Sequence, residues 1–579
     1  MTAAEIRNRI VSTVAENGGH LASSLGAVEI CMALCDVFDP VRDRIVWDVG
    51  HQAYAWKILT GRDALFATIR KSGGLSGFPN PLESPADAAV SGHAGVAISV
   101  AEGYAAARDL KGGNHSVVAV TGDASIVNGT SLEALNNCAG GPKIIIVLND
   151  NAMGISKATG SVSRLLGRII AGARYNRIKQ ATRRAARRIG LGFLYGAIHT
   201  VKARIKSFFL GDAVFEKLGI RYLGPVDGHD VPALKAAFEA AKNDRRSVIV
   251  HVVTKKGKGF APAEKDPVAW HGTGPFDIKA AASERVQPSS DTWSDVFGRA
   301  LSSLARRDSR IVALTAGMPD GTGLAGFAKE FPGRFFDVGI AEGHLVAFAA
   351  GLAAGGMRPV VAVYSTFLQR AVDQIVHDVA IASLPVVICV DRAGVVGADG
   401  VTHQGLYDIP MLKCIPNLTI AQPKDAEDLA VLLEEAVDRG GPCVIRYPRG
   451  RAPLRAESSP SAPSRGAPRA AIWATGDWYP KACRIAEKTA SVAVHARYIK
   501  PFDAALLEKQ KKEGLEIISL ENGAVSGGLG EAIGAGLRLG WPDEFVKHGP
   551  VSELEKEYGL DEESLTAKIS AFLHERGRS

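Results

Sequence analysis

Apolar residues along this chain fall into two regimes. In one they form short unbroken runs: Ile45-Val46-Trp47, Ser116 to Val120, Lys143 to Leu148, Ser247 to Val253, Pro359 to Val363 and Val386 to Val390. Such runs lack the polar alternation of a half-solvated strand, so they predict parallel strands buried on both faces. In the other regime apolar positions recur every three or four residues, as at Val28, Ile30, Leu34 and Val37, or in the small-residue stretch Ala97 to Ala107. That spacing predicts amphipathic helices between the strands. Strands are also expected near Val492 and Ile517. The alternation gives an α/β fold class: three α/β domains, each a mostly parallel sheet flanked by helices. The boundaries read as 1–280, 290–452 and 471–579, with a Ser-, Pro-, Ala- and Arg-rich linker over 453–470.

Polar residues gather where these runs end. Val120 leads into Thr121-Gly122-Asp123-Ala124-Ser125, and Leu148 into Asn149-Asp150-Asn151-Ala152-Met153. Asp123 and Asn151 therefore lie at the carboxyl ends of neighbouring parallel strands, where open α/β sheets bind ligands. Oxygen donors of this kind suit Mg²⁺ shared with substrate phosphates. A helix opening after Asp123 would also offer N–H groups to a diphosphate. Three glycine-flanked turns carry His20, His51 and His93 beside element ends. Further on, Val338-Gly339-Ile340-Ala341-Glu342-Gly343-His344 runs from a β-branched segment into an apolar helix, Leu345 to Ala354. A carboxylate at such a junction is costly without a dedicated partner. The plain alternative is an acid favoured by the helix dipole.

Length and composition narrow the picture. With 579 residues, 46% hydrophobic and 22% charged, the chain exceeds one core, and no apolar run approaches the ~20 residues of a membrane span. The start, Met1 to Arg7, has no apolar leader and an early acid, so the chain is expected in the cytoplasm. Seven scattered cysteines are read as reduced and buried. The net charge of +7 is concentrated: twelve Lys and Arg and no acid lie between Arg164 and Lys206. A solvated basic helix pair, attraction of phosphorylated substrates and nucleic-acid binding all fit such a stretch. No groove-reading motif accompanies it, so no nucleic-acid partner is expected.

These landmarks closely resemble, over nearly the whole chain, the 1-deoxy-D-xylulose-5-phosphate synthase family of transketolase-like thiamine diphosphate enzymes. The resemblance rests on Trp47 to Tyr54, Gly224 to Asp230, Tyr364 to Arg370, Asp391 to Gly405 and Arg446 to Gly450. It implies a homodimer whose first domain holds Mg²⁺ through Asp123, Asn151 and Met153, with a basic insertion over about 160–210. It implies that His51, Gly92, His93, Ala94, Ala124, Ser125 and Phe260 line thiamine diphosphate in that domain. In the second domain, Ile340 would prop the cofactor, Phe367 would stack on its pyrimidine, and Glu342 would activate that ring. The chemistry implied is condensation of pyruvate with glyceraldehyde 3-phosphate, with loss of CO₂. Arg370 would face the pyruvate carboxylate, and Tyr364, Arg392, Asp399, His403 and Arg449 the acceptor. His20, His51, His271 and His403 would carry protons or hold hydroxyls, each titrating near neutrality.

The chain departs from the family pattern at Ala124, where the family has Gly, at Ala152, which replaces an acid, and at Gly343, where Gln is usual. Its N-terminal leader is short against the family. Two other readings keep the same motifs: a transketolase-type enzyme with another donor, and a non-catalytic paralogue.

Overall fold

A computed structural model describes residues 1–151, 212–281, 291–456 and 467–576. The chain forms two compact units, Met1–Arg70 with Gly74–Arg285, and Lys71–Gly73 with Val286–Ser579.

The first unit is built on a five-stranded parallel sheet in the order β1-β2-β3-β5-β4, from β1 (Arg44–Trp47), β2 (Val117–Gly122), β3 (Ile145–Asp150), β4 (Arg221–Asp227) and β5 (Val248–Val253). Successive residues feed opposite faces. Val118, Val120, Val147 and Val250 pack with Ile10, Leu34 and Phe238 on one side. Ala119, Ile146, Leu148 and Ile249 pack with Ile98, Ala101 and Leu135 on the other. Burial of both faces is the physical reason the runs carry no polar alternation. β4 is the strand the hydrophobic pattern hides. It contains Gly224 and Pro225, and its pairing with β5 shifts register between Leu223 and Val226, an irregularity that accommodates both residues.

The second unit holds a seven-stranded sheet and a four-stranded one. The larger has the order β14-β10-β11-β9-β8-β6-β7 and is parallel apart from its β14 edge: β6 (Ile311–Thr315), β7 (Phe335–Asp337), β8 (Arg358–Tyr364), β9 (Val387–Asp391), β10 (Thr419–Ala421), β11 (Cys443–Tyr447) and β14 (Tyr498–Lys500). Trp293, Phe297, Leu301, Leu429 and Leu433 cover one face. The smaller sheet is parallel in the order β13-β12-β15-β16, with β12 (Ala470–Ala474), β13 (Ser491–His495), β15 (Glu516–Ala524) and β16 (Leu537–Trp541).

Two expectations change. The strand before Glu342 ends at Asp337 rather than including Val338 and Ile340, because Gly339 turns the chain at φ 73°. The cysteines are all free, but they are not uniformly buried: Cys414 is exposed, and Cys35 is half-buried against the edge of the core. Among the described residues no helix is long and apolar enough to cross a membrane.

Candidate active site

In the first unit the sequence-derived residues converge at the carboxyl ends of β1, β2 and β3. Gly122 at the end of β2 pairs with Asn149 of β3, so Asp123 and Asn151 follow from adjacent strands. Asp123 is buried, and its Oδ1 accepts the Ala124 N–H at 3.0 Å. The helix after Asp123 runs Gly129–Asn137, close to the expected span of about Thr130 to Asn137, and the Asn128 side chain caps it. Residues 124–128 form turns before it, so the N–H groups nearest Asp123 belong to a turn and not to a helix terminus. Ala124 is not among the residues with positive φ, so alanine sits there without the backbone strain that would demand glycine. Ser125 is buried and its carbonyl accepts from Ser131 Oγ. Met153, Ala152 and the basic stretch lie outside the described residues.

The histidine turns meet. The rings of His20, His51 and His271 form a triangle with centroids 5.2–6.0 Å apart. One six-residue helix, Leu21–Gly26, organises it. His20 is its N-cap, Ser23 Oγ lies 3.3 Å from His271 Nδ1, and Ser24 Oγ donates to the His51 carbonyl at 2.9 Å. The expected titration near neutrality fails for two of the three. Burial, with His20 and Lys256 nearby, pushes His51 well below 6.5. Burial, with Lys256 and the other two rings, does the same to His271. Both are neutral hydrogen-bonding rings at pH 7, because no acid lies among the groups that shift them. The turn bearing Gly92, His93 and Ala94 is fixed by Asp48, whose carboxylate accepts from Gly95 N at 2.8 Å and Ala97 N at 3.1 Å. It thereby caps the helix Ala97–Leu110, whose own N-cap, Val96, cannot. Phe260 packs edge-on against Trp270, at 5.3 Å between centroids.

Lys256 is the residue the sequence reading passes over. It is buried, and burial, opposed by Asp123, lowers its amine to about 8. Only its place in Lys255-Lys256-Gly257-Lys258-Gly259 marks it in the sequence, and three lysines there read as a solvated loop. A buried ammonium beside Asp123 and Asn151 is the donor set that a metal-bound diphosphate calls for.

In the second unit Glu342 opens the helix Glu342–Ala354 and is 4% exposed. Among the described residues its Oε2 has no hydrogen-bond partner, and the Arg370 Nη1 cation lies 4.0 Å away. Burial raises the carboxyl above 4.5 against the pull of its own backbone and Arg370. An orphaned, buried carboxylate oxygen fits a basic ring nitrogen that shares a proton with it. A Cβ on Gly343 would stand 3.2 Å from Gln374 Oε1, so the Gln374 amide lies against the place where the family carries a longer side chain.

Beside this pair stands an aromatic and cationic group. Phe367 stacks near Tyr364 at 5.8 Å and meets His403 edge-on at 5.6 Å. The Arg392 guanidinium lies 3.8 Å over the Tyr364 ring. Arg392 is also held by Asp391 at 2.8 Å and the Gly321 carbonyl at 2.8 Å. Asp391, which the sequence reading does not single out, is buried and accepts from Ser294 Oγ at 2.7 Å. Arg449 pairs with Asp399 at 3.3 Å. The loop between them is pinched by Gly394 and Gly405, which exchange two backbone hydrogen bonds of 2.7 Å. A Cβ at Gly405 would stand 2.2 Å from the Arg392 carbonyl. Ile340 is half-buried in the bend before Glu342.

Parallel sheets that carry acid, amide and histidine at their strand ends, with an isolated acid opening a helix in another sheet, define a transketolase-like enzyme. Residues 289–454 match the family described as transketolase, pyrimidine binding domain. Residues 1–254 match 1-deoxy-D-xylulose-5-phosphate synthase. Among relatives, the chain is 43% identical to 1-deoxy-D-xylulose-5-phosphate synthase 1 of Geobacter metallireducens, over 99% of this chain and 96% of that protein. It is 44% identical to 1-deoxy-D-xylulose-5-phosphate synthase 1 of Geobacter sulfurreducens, over 99% and 94%. It is 45% identical to the Clostridium kluyveri synthase, over 98% and 94%. The chain belongs to the 1-deoxy-D-xylulose-5-phosphate synthase family.

Proposed function

We infer that this chain condenses pyruvate with glyceraldehyde 3-phosphate, releasing CO₂ and forming 1-deoxy-D-xylulose 5-phosphate, with thiamine diphosphate and Mg²⁺. The observation that carries this reading is the buried, unpartnered Oε2 of Glu342, in a chain related to synthases over almost its full length. When bound, thiamine diphosphate supplies a carbon nucleophile and an electron sink for the decarboxylation. The chain supplies placement and charge.

Glu342, with its raised carboxyl, would share a proton with a ring nitrogen of the bound pyrimidine. Asp123 and Asn151 give oxygen donors to Mg²⁺, with the Met153 carbonyl expected as a third, and Lys256 pairs with the diphosphate. Gly92, His93, Ala94, Ala124 and Ser125 line that end. Arg370 presents a fork to the pyruvate carboxylate. Arg392, fixed by Asp391 and Tyr364, and Arg449 hold the acceptor phosphate, while His403, Asp399, His20 and the neutral rings of His51 and His271 hold hydroxyls. A homodimer completes the reading. From Leu345 onward the helix Glu342–Ala354 is apolar, yet it leaves Ala347, Gly351 and Ala354 exposed, as a helix does when a second chain covers it.

The test supplies purified protein with thiamine diphosphate and Mg²⁺, feeds pyruvate with and without glyceraldehyde 3-phosphate, and measures CO₂ and product. Product that appears only with both substrates and vanishes with chelator supports the reading. Turnover of a ketose phosphate without pyruvate makes the chain a transketolase-type enzyme. No turnover with bound cofactor makes it a non-catalytic paralogue.

A further inference from the structure

The segment Gly224 to Asp230 carries part of the resemblance but has no task in the reaction as described. Its histidine does have a place. The Lys255 N–H donates to His229 Nε2 at 2.9 Å, and His229 Nδ1 lies 3.1 Å from Glu29 Oε2. Because Nε2 accepts, the proton sits on Nδ1 and is donated to Glu29. Glu29 is in turn bound by Arg7 at 2.7 Å, and Arg7 also donates to the Leu25 carbonyl. Burial alone would raise Glu29, but the hydrogen bonds from His229 and Arg7 overcome it and hold the carboxyl at about 2. The acceptor state of the chain of bonds is therefore fixed. Its far end is the Thr254–Lys255 peptide, one residue before Lys256.

The same loop is fitted from the other side. Gly257 N donates to the Ala22 carbonyl at 2.7 Å, within the helix that organises the histidines. A Cβ on Gly259 would stand 2.7 Å from Arg7 Cδ. The His229 turn itself is set by Asp227, which accepts the His229 N–H at 3.0 Å. Gly228 permits it, because a Cβ there would stand 2.4 Å from Thr254 Cγ2.

We propose that His229 is a positioning residue: together with Glu29 and Arg7 it fixes the Thr254–Lys255 peptide, and with it the backbone that enters Lys256, so that the Lys256 ammonium is presented to the cofactor diphosphate. This rests on the assignment of Lys256 to the diphosphate. A lysine placed by its peptide loses little rotamer freedom on binding, whereas a free loop must be ordered by the ligand.

Calorimetric titration of the full-length, Mg²⁺-loaded protein with thiamine diphosphate tests it, using H229A, H229Q, K256M and the H229A/K256M pair, with thermal unfolding in parallel. K256M should weaken binding by roughly two orders of magnitude and H229A by about tenfold, values typical of lost charge-assisted and positioning contacts. The double variant should bind no worse than K256M alone, since His229 acts through the lysine. H229Q, whose amide can accept from Lys255 and donate to Glu29, should recover affinity to within about threefold. If K256M binds as wild type does, the diphosphate assignment of Lys256 falls, and the inference with it. If K256M is weakened but H229A is not, or the two losses add, the inference alone is wrong. If H229A unfolds, H229Q and H229N in the same cycle decide between these outcomes.

Discussion

The two units solve opposite electrostatic problems. The first gathers bases, three imidazoles and Lys256, and burial pushes His51, His271 and Lys256 toward their neutral forms. The second buries the acid Glu342 in its site, and burial pushes it toward its neutral form as well. In each unit burial holds down the charge of groups that stand where a charged ligand is to arrive. The means of support differ. In the first unit, turns are fixed by backbone N–H groups donating to Asp48 and His229 and by Ser24 donating to the His51 carbonyl. In the second, the cations are fixed by ion pairs, Arg392 to Asp391 and Arg449 to Asp399.

The largest effect expected is from Glu342→Gln. The amide keeps the shape but cannot share the proton, so kcat should fall by about two to four orders of magnitude, with cofactor affinity nearly unchanged. Near wild-type turnover in a steady-state assay would move the activating acid elsewhere. The same variant tests the electrostatic contrast. An acid raised in the fold contributes stability below its unfolded value and loses it as pH rises through the folded one. Glu342→Gln should therefore be at least as stable as wild type at pH 8 in denaturant titrations.

Asp123→Ala comes next. Loss of a hard oxygen donor should abolish the metal dependence of thiamine diphosphate binding and weaken it by about a hundredfold, as read by calorimetry with and without Mg²⁺. Unchanged affinity that still depends on Mg²⁺ would place the metal at other residues.

Depressed histidines have the opposite sign to Glu342: their stability is present above the unfolded value of 6.5 and is lost as pH falls toward the folded one. His271→Gln should flatten the loss of stability of the first unit below pH 6.5, followed by hydrogen exchange of β2 and β3 amides. An unchanged slope would mean that His271 takes up a proton in the fold.

A smaller effect is expected at Gly405→Ala. Its Cβ at 2.2 Å from the Arg392 carbonyl should shift that arginine and raise KM for the phosphorylated acceptor about tenfold, while KM for pyruvate changes little. Equal changes in both constants would point to general unfolding of the loop. The smallest is Val49→Gly. Val49 holds φ 59° beside His51, a conformation that costs a β-branched residue about 1 kcal/mol or more. The variant should gain up to that amount in a thermal melt; a loss would show that Val49 packing outweighs the strain.

Much of this was legible from residue order. Unbroken apolar runs announced strands buried on both faces, and Asp123 and Asn151 were located because strand ends are where polar residues can stand. Glu342 was conspicuous as a charge amid apolar sequence. The cis-proline-bearing strand β4 was not, because Gly224 and Pro225 break the apolar pattern that marks its neighbours, and only pairing with β5 makes it a strand. Lys256 and Asp391 were passed over for a related reason. A lysine among lysines reads as solvated, and an acid before an arginine reads as a surface pair. Burial alone makes them different, and burial is a property of what packs around a residue. The histidines show the division most clearly. Sequence supplied their turns and their chemistry, while the neutrality of His51 and His271 came from burial, to which neighbouring rings and the Lys256 amine, distant along the chain, add.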